Sequence, residues 1–83
     1  MTSAIRRGEP QHALIRYQQA LDLARAVHSP LNEAHALEGI GRCAAAAGEA
    51  ATATTNLTEA LKIYQRIGAS EAITLAAELD VAG

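Results

Sequence analysis

The sequence predicts an all-α protein built from antiparallel helix hairpins. Three observations carry that expectation. Of the 83 residues 20 are alanine, the strongest helix former, while only Tyr17 and Tyr64 are aromatic. Apolar residues recur at steps of three and four, and no alternating apolar-polar run suggests a strand. The chain also repeats itself when shifted by forty residues.

The first piece is a short helix over about residues 2–7, closed by Gly8-Glu9-Pro10, a glycine at a helix end and a proline in the next first turn. A helix over 10–27 follows, with Ala13, Tyr17, Ala20, Ala24 and Val27 on one face. Ser29-Pro30 then starts a helix over 31–47, striped by Leu37, Ile40, Ala44 and Ala47. Gly48 turns the chain into a helix over 50–67, where Ala53, Leu57, Ala60, Tyr64 and Ile67 step as their counterparts did. Gly68-Ala69-Ser70-Glu71 introduces a last helix over 71–81, with Ala72, Leu75 and Leu79 on its stripe. Connections of two to four residues make neighbouring helices antiparallel.

The forty-residue shift pairs Ala4 with Ala44, Gly8 with Gly48, Glu9 with Glu49, Ala13 with Ala53, Ala20 with Ala60 and Leu21 with Leu61. It also pairs Tyr17 with Leu57, Leu23 with Ile63 and Val27 with Ile67. Each helix has one apolar face and cannot bury it alone, so stacked hairpins are expected.

The string Leu37-x-x-Ile40-Gly41-x-x-Ala44-x-x-x-Gly48-x-x-x-x-Ala53-x-x-x-Leu57-x-x-Ala60 resembles a tetratricopeptide repeat. Gly8, Ala13, Tyr17 and Ala20 restate its second half upstream. Leu37 stands where an aromatic is usual, Ala44 replaces a bulkier residue, and the period is forty rather than 34. The longer form resembles arrays in large bacterial regulators, antibiotic-pathway activators of actinobacteria among them. The resemblance implies a right-handed solenoid, here a segment of a longer array. Residues 1–28 are a partial repeat, 29–67 a complete helix pair, and 68–83 a lone or capping helix.

In such arrays the first helix of each pair lines a concave groove where peptides dock. The resemblance therefore nominates His35, Glu38, Arg42 and Ala46, with Ile73, Ala76 and Asp80 as counterparts on the last helix. A solvated face carrying a Glu38–Arg42 pair is the plainer reading of the same residues. The Lys/Asn set that clamps a peptide carboxylate in chaperone-binding members is missing.

Other chemistries are disfavoured. Gly39-Ile40-Gly41-Arg42-Cys43-Ala44 spells G-x-G-x-x-A, but a dinucleotide site needs a strand before the first glycine. Here the upstream pattern is helical, so Gly41 is expected to admit a close helix neighbour instead. Cys43 is expected to be a half-buried structural thiol. His12, His28, His35 and Cys43 share no helical face, which argues against a metal. The sequon at Asn56-Leu57-Thr58 falls within a helix and is set aside. No nucleophile-base or paired-carboxylate spacing suggests catalysis, and no cofactor is expected.

The formal net charge of −2 gives no basic patch for nucleic acid. No apolar run approaches the ~20 residues of a membrane span, and Met1–Pro10 lacks a signal-peptide core. The single cysteine fits a reducing cytoplasm. Six of seven basic residues are Arg, which with the alanines fits a GC-rich bacterial coding sequence. The expected function is protein–protein interaction, with a peptide, a helix or another domain of the parent chain as partner. Homodimerisation is the alternative, since both ends expose apolar edges and a small core supplies little margin. A small-molecule-sensing domain is a third reading, which no polar cluster supports.

Overall fold

The computed structural model describes the backbone of residues 2–82 and the side chains of residues 11–81. It contains four helices, α1 (Thr2–Ala26), α2 (Pro30–Ala46), α3 (Ala50–Ile67) and α4 (Glu71–Ala82). Among the described residues there is no strand. Each helix packs on the next, α1 on α2, α2 on α3 and α3 on α4.

The expected break at Gly8-Glu9-Pro10 is corrected, because α1 runs through it as one helix. Interior glycine and proline cost about 1 and 3 kcal/mol relative to alanine. The run from Gln11 to Ala26 is rich in Ala, Leu, Arg and Gln, and these strong helix formers oppose that local penalty.

Three turns share one construction. The N–H of Ser29 donates to the Ala24 carbonyl at 2.8 Å, Glu49 to Ala44 at 2.8 Å, and Ala69 to Tyr64 at 2.9 Å. One residue earlier, His28, Gly48 and Gly68 donate to Arg25, Ala45 and Gln65. This is the Schellman pattern, and the residue in its C′ position is left-handed in all three cases. The values of φ are 56° at His28, 81° at Gly48 and 72° at Gly68. The sequence identified the two glycines as turns. His28 does the same work without a glycine, so composition did not mark it.

At the start of α2 the Ser29 side chain makes no capping bond, although its backbone is extended as a cap requires. Pro30 occupies the first turn, where a missing N–H removes a donor that would have no intrahelical partner. Glu33 adds a favourable charge at the helix N-terminus and pairs with Arg25 of α1 at 3.2 Å.

The core runs along α2 and α3. Ala34, Ala36, Leu37, Ala60, Ile63, Tyr64 and Leu75 are buried, with Leu21 joining from α1. Ile40, Leu57 and Leu79 pack at its edge, and Ala44 and Ala53 are also buried. At Gly41 a Cβ would lie 2.8 Å from Leu57 Cγ and 3.2 Å from the Ala53 carbonyl oxygen. Gly39, which the sequence did not single out for packing, is pressed against the ring of Tyr17 from α1, leaving no room for a Cβ.

Two expected packing positions are corrected. Ala20 is exposed, and Ala47 ends α2 in an exposed turn. The Ala13–Val27 stripe of α1 is only partly covered: Ala24 is buried at 3% and Ala13 half-buried, while Tyr17 and Val27 are 39% and 61% exposed. The equivalent stripe on α3 is sandwiched between α2 and α4, whereas α1 packs on α2 alone.

Candidate functional site

α2 and α4 both lie against α3, and their side chains meet across it. Arg42 sits at the centre. Its Nη2 donates to Glu38 Oε2 at 2.6 Å within α2. Its Nη1 and Nη2 donate to the Glu78 carboxylate on α4 at 3.0 and 3.2 Å. Glu38 is held from below, where the buried Tyr64 hydroxyl of α3 donates to its Oε1 at 2.8 Å. One helical turn away, His35 Nε2 lies 3.0 Å from Glu71 Oε2 of α4. The His35 ring also tilts over Tyr64 at a centroid distance of 5.7 Å.

The electrostatics follow from these contacts. Hydrogen bonds to Glu78 and then Glu38 raise the Arg42 pKa, so the guanidinium stays charged. Arg42 holds the Glu78 carboxyl below its ordinary value, and His35 does the same for Glu71. Burial, reinforced by the bond to Glu38, pushes the Tyr64 hydroxyl well above its ordinary value. The face carries Glu38, Glu71 and Glu78 against one cation, Arg42, so an acidic excess remains.

The structure therefore brings three of the nominated residues together: His35, Glu38 and Arg42. Ala46 is exposed further along α2. The counterparts on α4 are different from those the spacing suggested. Glu71 and Glu78 reach α2, and at 100° per residue Ile73 and Asp80 lie about 200° further round the helix from them. Ala76 is half-buried and does not contribute to the network. The Ala72, Leu75 and Leu79 stripe expected on α4 is the face that packs on the core. The difference is one of register, since Ile73, Ala76 and Asp80 lie forty residues beyond Glu33, Ala36 and Ile40, whereas Glu78 lies forty beyond Glu38.

A second feature is a groove of about 340 Å³ between α1 and α2, lined by Tyr17, Leu23, Ala24, Val27, His35 and Ala36 among others. It is apolar and carries no convergent polar set. Cys43 is half-buried, as expected. Among the described residues no group of three His, Cys, Asp or Glu could hold a metal ion.

The family model for the tetratricopeptide repeat matches residues 2–66. The chain belongs to the tetratricopeptide repeat family. Comparisons with curated proteins and with solved structures return no significant match. Tetratricopeptide repeats mediate protein–protein interaction and are characteristically scaffolds rather than enzymes. The match spans α1, α2 and all but the last residue of α3. The Arg42 network joins α2 and α4, the two helices that flank α3. Among the described residues no helix is long and apolar enough to cross a membrane.

Proposed function

We propose that this tetratricopeptide repeat domain binds a protein segment across the face formed by α2 and α4, and that the segment is basic. The observation that carries the reading is the Arg42 network. It ties α2 and α4 side by side and leaves carboxylates in excess on the exposed surface. Preorganised side chains lower the ordering cost of binding, and an acidic face speeds encounter with a positive partner. Ala46 extends the face with little steric bulk, room that a peptide backbone could use.

The wider setting is a bacterial regulatory protein of the cytoplasm. Support comes from composition, with arginine strongly preferred over lysine and 20 alanines in the chain, and from the forty-residue period.

Binding of labelled peptides of matched length and opposite charge tests the reading. Basic peptides should bind, should release as salt rises, and should lose affinity in a Glu71→Lys/Glu78→Lys variant. Equal binding of acidic peptides, or indifference to that double substitution, would overturn it.

A further inference from the structure

We draw no further inference here: the strongest candidate, the apolar groove between α1 and α2 lined by Tyr17, Leu23, Ala24 and Val27, is an unpartnered face, and nothing in the structure shows what covers it.

Discussion

The guanidinium of Arg42 on α2 donates to both carboxylate oxygens of Glu78 on α4, at 3.0 and 3.2 Å. Glu78 is forty residues beyond Glu38, the other partner of Arg42. One cation is therefore shared by two carboxylates forty residues apart, one on α2 and one on α4. A planar guanidinium can hold two carboxylates at once, and an ammonium on a flexible stem cannot do so with fixed geometry. Arg42→Lys should leave the melting temperature nearly unchanged, because exposed ion pairs add less than about 1 kcal/mol. It should nevertheless speed amide hydrogen exchange along α4, the helix that rests on α3 alone apart from these links. Exchange in α4 that matches the parent would show that the network does not restrain it.

Tyr64 is the buried support of that network. Tyr64→Phe keeps the ring and its packing but removes the donor to Glu38. A hydrogen bond to a charged group contributes about 1.5–3 kcal/mol, and Arg42 still satisfies Glu38, so a loss of about 1–2 kcal/mol is expected. For a domain of this size that lowers the melting temperature by roughly 4–8 °C per kcal/mol. The raised Tyr64 pKa adds a second signature. Its contribution is complete below pH 10, the ordinary value, and is lost as pH rises beyond that, because the unfolded chain then gives up the proton first. The Phe variant should lack that part of the alkaline loss.

His28 adopts φ 56°, a conformation glycine takes at the equivalent Gly48 and Gly68. A non-glycine residue there costs about 1–2 kcal/mol, and glycine returns part of this as unfolded-state entropy. His28→Gly should stabilise the domain by about 0.5–1 kcal/mol, seen as a higher midpoint in urea at unchanged slope. An unaltered or lower midpoint would mean that the His28 side chain makes up for its backbone.

That turn also shows what the sequence could convey. The forty-residue shift and the three-four stepping located α2, α3 and α4 within one residue at each end, because glycines and Pro30 punctuate them. His28 escaped notice because the left-handed turn is a property of the backbone hydrogen bonds from Ser29 to Ala24 and His28 to Arg25. Gly8-Glu9-Pro10 read as a boundary, yet local punctuation was weaker than the helix formers on its C-terminal side. On α2, polar residues stand opposite an apolar stripe, so His35, Glu38 and Arg42 were legible. On α4 the Ala72, Leu75 and Leu79 stripe was legible too, but the polar positions beside it were taken at Ile73, Ala76 and Asp80, out of the forty-residue register that pairs Glu78 with Glu38. Tyr64 looked like core and is core, but its hydroxyl reaches a carboxylate 26 residues away, which no spacing rule reports.

Gly41 and Gly48 should respond to alanine for different reasons. At Gly41 the new Cβ meets Leu57 and the Ala53 carbonyl, and a backbone oxygen cannot rotate away. Overpacking of about 1–3 kcal/mol should outweigh the ~1 kcal/mol gained in helix propensity. At Gly48 nothing lies within 4 Å, and the whole penalty is the positive φ of 81°. A Leu57→Ala change made together with Gly41→Ala should recover part of the steric loss, whereas it should do nothing for Gly48→Ala. A double-mutant cycle by chemical denaturation separates the two; equal coupling at both glycines would remove the steric account.

Acid should release α4 before it melts the rest. Glu71 and Glu78 have carboxyl pKa values below the ordinary 4.5, held there by His35 and by Arg42. Above pH 4.5 both groups are ionised in the folded and unfolded chain, and their links contribute fully. Below it the unfolded chain takes up protons first, so stability falls with pH until the folded carboxyls are protonated too. The lost contacts all join α4 to α2, while the α2–α3 core of Ala34, Leu37, Ala60 and Ile63 is apolar. Amide exchange or NMR shifts should therefore report loosening of α4 below about pH 4.5 while the Ala34–Leu37 and Ala60–Tyr64 segments stay protected. A Glu71→Gln/Glu78→Gln variant should show the looser α4 already at neutral pH and little further change on acidification. If its α4 stays as protected as in the parent at pH 7 and loosens on the same acid curve, other carboxylates govern the transition.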